Sequence, residues 1–346
     1  MNSMKLLPGA LLPWYEENKR DLPWRANREP YHVWLSEIML QQTRVEAVKG
    51  YYTRFLNVLP TIEALASCDD ELLHKLWEGL GYYSRVRNLK KAAQVIMTSH
   101  NGRFPREHGA VLALPGIGDY TAGAICSICY DLPTPAVDGN VLRVIARITD
   151  DPTPIDLPAR KKEVQNQLTE IYPVRAGDFT QALMELGATL CGPNRKPDCG
   201  NCPCRDFCLG HLRGTAENLP VKNPKKAKRQ EYLTLFILRC GDDFVLEKRP
   251  DQGLLAGLWQ FPNIPGTLDA PGALAWAEEK GLKVRDIRRI TEKKHIFTHI
   301  QWNMTGIYLD IDEKCADFFW YPESGINQNT ALPTAFRQFW EEREYV

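Results

Sequence analysis

The chain has 346 residues, of which 44% are hydrophobic and 25% charged. This is the balance of a folded globular protein with more than one domain. No apolar run reaches the roughly 18 residues of a membrane-spanning helix, and the first residues lack a secretion signal. We therefore expect a cytoplasmic protein that contacts no membrane. Its 43 basic and 43 acidic residues balance, but residues 1–230 hold 30 basic against 25 acidic. This excess hints at an anionic partner, although chance asymmetry explains it equally well.

Two regions differ in their hydrophobic period. From Leu6 to about His211 apolar residues recur at helical spacing, broken by Pro and Gly, which predicts an all-helical region. Residues 218–229 are polar, basic and rich in proline, as linkers are. Beyond them an α/β domain is expected. The predicted helices include 61–65, 71–80, 87–99, 161–171, 270–280 and 333–344, and the predicted strands are 232–238, 244–247 and 301–309.

Residues 31–43 (YHVWLSEIMLQQT) predict a helix that is apolar over most of its surface and therefore largely buried. Glu37 lies within this apolar setting. A carboxyl group without water around it has a raised pKa and can donate a proton near neutral pH. Without further context, a glutamate at the helix rim paired with a nearby arginine is the more common arrangement.

Residues 114–122 (LPGIGDYTA) lie between two helical segments. Gly116 and Gly118 permit a tight turn with exposed backbone N–H groups, and the N terminus of the next helix adds to their attraction for a phosphate. From the glycines alone, an ordinary helical hairpin is the more common explanation. Further on, Asp138 is suited to cap a helix, and a carboxylate at a helix N terminus stays ionised.

Five of the ten cysteines lie between positions 191 and 208. In a chain without a secretion signal, such a cluster indicates metal ligation rather than disulfides. Thiolates at this spacing suit an iron–sulfur cluster or zinc. A structural zinc site more often uses two CxxC pairs, and only Cys199 and Cys202 form one.

Four segments resemble, in order and separation, those of the MutY family of adenine DNA glycosylases: WLSEIMLQQT (34–43), GLGYYSRVRNL (79–89), LPGIGDYTAGAI (114–125) and VDGNV (137–141). The resemblance covers essentially the whole chain. It implies an all-α helix-hairpin-helix glycosylase core with an iron–sulfur cluster loop, followed by an α/β Nudix-like domain. The implied division is a six-helix domain with the hairpin (22–132), a cluster domain (1–21 and 133–215), a linker (216–230) and a MutT/Nudix-like domain that recognises 8-oxoguanine (231–346).

The resemblance implies that Glu37 protonates an adenine so that the base can leave, and that Asp138 stabilises the cationic sugar while water attacks. Asn140 and Tyr120 would orient Asp138 and the water. Bifunctional relatives place a lysine nucleophile at the hairpin position that Tyr120 occupies. Because tyrosine cannot form a Schiff base with the sugar, we expect a monofunctional glycosylase without lyase activity.

The same resemblance implies the DNA contacts. Gln41 and Tyr82 would push into the duplex while the adenine is flipped out, and Arg25 would line the base pocket. Gly116 and Gly118 would hold a backbone phosphate. Without the family match, packing between helices is the default for Tyr82. The implied partner is double-stranded DNA with adenine opposite 8-oxoguanine or guanine, bound by a monomer associated with the nucleoid.

The cysteine segment resembles the loop that carries a 4Fe–4S cluster in this superfamily, which makes Cys191, Cys199, Cys202 and Cys208 the implied ligands. The first spacing is seven residues where the family usually has six, and Cys204 is an additional thiol that could compete. We expect the cluster to position a basic loop, with Arg195, Lys196 and Arg205, against DNA.

In the C-terminal domain, GLWQFP (257–262) resembles the strand that enters a Nudix box. Too few acidic residues follow for a working magnesium site, so pyrophosphatase activity is not expected. Phe297, Thr298 and His299 resemble the family loop that recognises 8-oxoguanine, with threonine where the family often has serine. A β-turn with aromatic packing by Phe297 explains the segment without that context.

Three other functions fit parts of the sequence. A bifunctional endonuclease III-like enzyme conflicts with Tyr120, Glu37 and the extra domain. A Nudix hydrolase with a DNA-binding module conflicts with the degraded box. A non-catalytic damage-binding protein would lack a catalytic carboxylate, whereas Glu37 and Asp138 are both present.

Overall fold

The computed structural model describes residues 3–193, 196–224 and 227–343. Arg195 of the predicted basic loop, residues 225–226 of the predicted linker and Glu344 of the predicted last helix lie outside these ranges. Each described helix is too short or too polar to cross a bilayer. Contacts between residues divide the chain into two compact units. Unit 1 is Met1–Ser67 with Arg87–Pro224, and unit 2 is Cys68–Val86 with Lys225–Val346.

The first part of the chain is helical throughout, as its apolar spacing predicts. Short helices alternate with turns at Pro and Gly because neither residue continues a helix well. The helices are α1 (Leu7–Asn18), α2 (Pro30–Leu40), α3 (Val45–Val58), α4 (Ile62–Ser67), α5 (Asp70–Trp77), α6 (Ser84–Ser99), α7 (His108–Leu112), α8 (Asp119–Tyr130), α9 (Gly139–Thr149), α10 (Pro158–Thr169), α11 (Ala176–Thr189) and α12 (Leu209–Leu212).

Part of the core of unit 1 forms where α1 and α9 pack with α11. Helix α9 is buried at every position from Val141 to Ile148, so it crosses the interior rather than the surface. Its N terminus therefore holds Asp138 inside the unit. Asp138 accepts hydrogen bonds from the backbone N–H groups of Asn140 and Val141, which confirms the predicted helix cap.

Unit 2 is built on a six-stranded sheet. Its strands are β1 (Arg229–Cys240), β2 (Asp243–Val245), β5 (Asn263–Pro265), β6 (Val284–Ile296), β7 (Ile300–Ile311) and β8 (Trp320–Pro322), while β3 (Glu247–Lys248) and β4 (Trp259–Gln260) pair separately. The order is β6-β7-β1-β2-β8, with β5 beside β1, and only β1 and β7 run parallel. Helix α13 (Ala270–Glu279) covers one face, and α14 (Glu323–Asn329) and α15 (Thr334–Trp340) cover the other.

Two expectations from the sequence were wrong in detail. The helix predicted over 31–43 ends at Leu40, because Gln41 leaves the helical conformation with a ψ of 109° and Gln42 follows with a left-handed φ of 60°. Strand β6 was not predicted. Its thirteen residues are mostly charged and none is buried, so they lack the apolar signal of a strand, and pairing with β7 fixes them instead.

The segment 68–86 belongs to unit 2 although it precedes the sheet by more than a hundred positions. Glu71 of α5 accepts hydrogen bonds from Trp259 Nε1 at 3.0 Å and from Lys248 Nζ at 2.7 Å. The Lys75 ammonium donates to the backbone oxygens of Asn327 and Thr330. The finer four-part division of the chain given above stays a prediction.

Candidate active site

Helix α2 carries Glu37 into the interior of unit 1. The helix begins with Pro30, and Glu29 before it accepts a hydrogen bond from the backbone N–H of His32, so the start of the helix is well defined. Every residue from Tyr31 to Met39 except His32 is buried, and Glu37 is only 5% exposed. Glu37 is therefore a buried acid and not a rim residue.

The environment of Glu37 favours its protonated form. Burial raises the pKa of the carboxyl to about 7, and the negative charge of Asp138 adds to the rise, while the Tyr120 hydroxyl and the Arg25 charge oppose it. Glu37 Oε2 is buried and has no hydrogen-bond partner in the described part of the chain. A carboxyl group in this state holds a proton that it can release near neutral pH.

Asp138 is the second carboxyl of the site. Oδ1 accepts from the N–H groups of Asn140 at 2.9 Å and Val141 at 2.8 Å, and Oδ2 accepts from Asn140 Nδ2 at 2.7 Å. Asn140 is itself held by Arg143 Nη2, which donates to its Oδ1 at 3.0 Å. Burial raises the pKa of Asp138 above its ordinary value, and the three hydrogen bonds oppose this rise. The sequence indicated only the second influence.

Tyr120 is in the first turn of α8, directly after the glycine hairpin. Gly118 precedes α8 as its N-cap. Gly116 has a φ of 77°, and a Cβ atom there would come within 2.6 Å of the Asn88 Cβ, so the turn requires glycine at this position. The Tyr120 hydroxyl lies 4.0 Å from Met184 Sδ. Burial and the charge of Glu37 raise the pKa of Tyr120 well above its ordinary value, which keeps the phenol neutral.

A buried ion pair also borders the site, and the sequence did not indicate it. Glu185 of α11 is fully buried and accepts from Arg20 Nε at 2.6 Å and from Arg25 Nη2 at 2.7 Å. Burial alone would raise the pKa of Glu185, but the two arginines together hold it below its usual value. Glu185 thereby fixes the Arg25 guanidinium, which also lies 5.6 Å above the Tyr15 ring.

These side chains share one cavity of about 870 Å³ in unit 1. The structure brings together six of the predicted site residues in it, namely Arg25, Glu37, Gln41, Tyr120, Asp138 and Asn140. Gln41 also approaches Thr121 Oγ1, with its Nε2 at 3.4 Å. The size and polar lining suit a nucleoside-sized ligand. Gly116 and Gly118 are outside the lining of this cavity, and their contact with a backbone phosphate stays a prediction.

The remaining predicted DNA contacts are in unit 2. Tyr82 has a left-handed φ of 46° and is 46% exposed, whereas its neighbour Tyr83 is 5% exposed. The Tyr82 hydroxyl lies 3.1 Å from Thr298 Oγ1, so the structure joins two predicted contacts. Thr298 and His299 are exposed in the turn between β6 and β7. The Phe297 ring packs 4.8 Å from Trp302 and anchors this turn.

The predicted cysteine ligands line one small cavity in unit 1, beside α9 and α11. Cys191, Cys199, Cys202 and Cys208 all contribute to it, and Arg147 Nη1 donates to Cys191 Sγ at 3.2 Å. Cys204 also borders the cavity but is only 1% exposed and packs in the core. Within the described ranges, no three His, Cys, Asp or Glu side chains are grouped to bind a single metal ion. The ligand set stays a prediction.

Comparison with known proteins agrees with both parts of the fold. Residues 35–173 match the HhH-GPD superfamily of base excision DNA repair proteins, and residues 234–342 match the NUDIX domain. The chain is 34% identical to an adenine DNA glycosylase of Mus musculus, over 96% of this chain and 78% of that one. An adenine DNA glycosylase of Buchnera aphidicola subsp. Acyrthosiphon pisum is 35% identical, with 86% and 85% covered.

Among solved structures, a thermostable thymine-DNA glycosylase superposes with a TM-score of 0.56 at 29% identity, covering 61% of this chain and 97% of that one. A trapped endonuclease III–DNA covalent intermediate superposes with a TM-score of 0.53 at 21% identity, which shows a shared fold, and covers 62% and 99%. The predicted fold class, a helix-hairpin-helix glycosylase core followed by a Nudix-like α/β domain, is confirmed.

Proposed function

The chain belongs to the adenine DNA glycosylases, and we propose that it excises adenine from mispaired DNA by acid-assisted hydrolysis of the N-glycosidic bond. One observation carries the proposal. Two carboxyls line the same cavity. Glu37 is buried and has a pKa of about 7, and Asp138 caps the N terminus of α9. This is the pair that departure of a base and stabilisation of a cationic sugar require.

Glu37 acts as the acid. It gives its proton to a ring nitrogen of the flipped adenine, the bond between the sugar C1′ and the base nitrogen breaks, and the electron pair of that bond stays on the base. The adenine therefore leaves as a neutral molecule. Because the pKa of Glu37 is about 7, about half of the enzyme holds this proton at neutral pH.

Asp138 acts as the anion that faces the developing sugar cation. Asn140 holds one of its oxygens at 2.7 Å and so fixes the direction of the carboxylate. Water then adds to C1′ and gives a proton to the Glu37 carboxylate, which completes the hydrolysis and restores the acid. Tyr120 remains neutral and positions Glu37.

The product is an intact abasic strand. Cleavage of the strand by this superfamily requires an amine that attacks the sugar and forms a Schiff base. The described residues that line the cavity include arginines but no lysine, and Tyr120 occupies the hairpin position. These facts support a monofunctional enzyme.

The turn with Phe297, Thr298 and His299 reads the base opposite the adenine. Thr298 is exposed and carries a hydroxyl that can donate or accept, and 8-oxoguanine differs from guanine in its N7–H and O8. This pattern supports 8-oxoguanine as the preferred opposite base.

Cys191, Cys199, Cys202 and Cys208 would hold a 4Fe–4S cluster, which stabilises their loop. That the protein is a cytoplasmic monomer stays a prediction, which sedimentation and cellular localisation would test.

A duplex with one adenine opposite 8-oxoguanine tests the proposal. We expect purified protein to create sites that break only after alkali, and Glu37→Gln to create none. Glu46→Gln, which changes an exposed glutamate of α3, should act like the wild type. Nicking without alkali, or borohydride trapping of a covalent adduct, would instead establish the lyase reaction. Equal cleavage by Glu37→Gln would refute the role of the acid.

A further inference from the structure

A second cavity of about 250 Å³, also within unit 1, shares part of its lining with the site just described. It has room for roughly eight waters at about 30 Å³ each, which is ample for a free purine base. The two cavities have five lining residues in common: Arg20, Trp24, Arg25, Ile128 and Gln181. The two cavities therefore adjoin at these side chains.

Most of the shared wall is fixed. Arg20 and Arg25 are tied to the buried Glu185, and Trp24 packs edge-on against Tyr52 at 5.6 Å. Gln181 differs, because it is a half-buried, uncharged and unbranched side chain that faces both cavities. Rotation of Gln181 about its side-chain bonds would connect them at the least cost.

The main cavity is also bordered by residues 41–45, which comprise the turn between α2 and α3 and the first residue of α3. On the proposed function, Gln41 enters the duplex there, so bound DNA closes that opening. The excised base then lies between the DNA and the shared wall. Since a flipped abasic sugar still occupies the entrance, the base needs another way out.

The lining of the second cavity suits a neutral base. Arg20 and Arg25 are paired with Glu185, and Arg28 is paired with Asp178, so most of the charge on this lining is neutralised and a neutral base suits it. Asn27 and Gln181 offer amide groups to a neutral ring. Because Glu37 transfers one proton and the electron pair of the bond stays on the base, the leaving adenine is neutral.

We propose that the second cavity receives the excised adenine as a neutral base and releases it while the DNA remains bound. This inference rests on the proposed function. It predicts that adenine leaves the complex before the abasic DNA does. If the base had to leave through the entrance, its release would instead follow DNA dissociation.

The test uses a duplex with tritium-labelled adenine opposite 8-oxoguanine. Acid quenching measures bond cleavage, and rapid passage through a filter that retains the protein–DNA complex measures adenine release. We expect wild-type protein to release the label as fast as it cleaves. Lys19→Trp, which fills the second cavity from its exposed rim, should cleave at the wild-type rate but release the label roughly tenfold more slowly.

Lys19→Gln removes the same charge without adding bulk and should release adenine like the wild type. Asn27→Trp fills the cavity from another position and should repeat the effect of Lys19→Trp. Release that follows DNA dissociation in the wild type, or that neither tryptophan slows, would overturn the exit route and leave the proposed function standing. A wild type that cleaves no bond at all would refute the proposed function itself.

Discussion

Glu37 should lower the free energy of unfolding at any pH where it is ionised, and its replacement by glutamine should remove this cost. Ionising Glu37 without water around it is unfavourable, and its pKa rises from 4.5 to about 7. At 1.36 kcal/mol per pH unit, this is a cost of about 3 kcal/mol once the carboxyl is ionised. The raised pKa means that the folded state binds the proton more tightly than the unfolded state does. The stabilisation by this proton is complete below pH 4.5 and is lost as the pH rises through about 7.

Glu37→Gln should therefore be inactive yet more stable than the wild type at pH 8, by up to about 3 kcal/mol. At pH 4.5 the two proteins should unfold alike. Urea unfolding followed by tryptophan fluorescence at both pH values measures the difference.

Glu185→Gln is the matched control, since it changes an equally buried glutamate that is paired with Arg20 and Arg25. It should lose about 3–5 kcal/mol at pH 8, because two arginines are left without their partner. If Glu37→Gln were destabilised at pH 8 as Glu185→Gln is, the carboxyl would be stabilised in its ionised form and the assignment of the acid would be wrong.

Four further outcomes are expected. The rate of single-turnover excision should fall about tenfold per pH unit above pH 7. Tyr120→Phe should move this fall to higher pH, because the tyrosine hydroxyl lowers the pKa of Glu37. An unchanged pH profile would contradict the contact between the two side chains. Asn140→Ala should slow excision, and the loss of activity at low pH should begin at a higher pH, since the change removes a donor that lowers the pKa of Asp138. Thr298→Val should reduce the preference for 8-oxoguanine over guanine by roughly tenfold, the effect of one lost hydrogen bond; equal loss on both duplexes would point to folding. Cys199→Ser should lose iron and brown colour, whereas Cys204→Ser should retain both, as iron analysis and absorbance would show.

Local pattern predicts those parts of the fold that local forces decide. The apolar coverage of α2 predicts a largely buried helix, and Glu37 is buried within it although a glutamate at the helix rim is the more common arrangement. The end of α2 was predicted three residues too late, because Gln42 has no residue-type signal for its left-handed φ of 60°. A tight turn required by tertiary structure overrides helix propensity there.

Long-range pairing decides the parts that were missed. Glu185 is 165 positions from Arg20, and no spacing in the sequence relates them. Glu71 likewise meets Trp259 across 188 positions, so the place of segment 68–86 in unit 2 could not be read from its helical pattern. Strand β6 owes its conformation to β7 and not to its own charged residues.

The two carboxyls of the site have different partners, and this difference supports the roles proposed for them. Burial raises the pKa of both, so desolvation alone does not distinguish acid from anion. Asp138 receives three N–H hydrogen bonds, whereas Glu37 Oε2 receives none from the described residues. Such donors stabilise the ionised form more than the protonated form. When one proton is shared by the site, it therefore resides on Glu37, and the charge resides on Asp138. Two of these three donors are backbone N–H groups at the start of α9. The groups that hold Asp138 in place therefore also stabilise its charge.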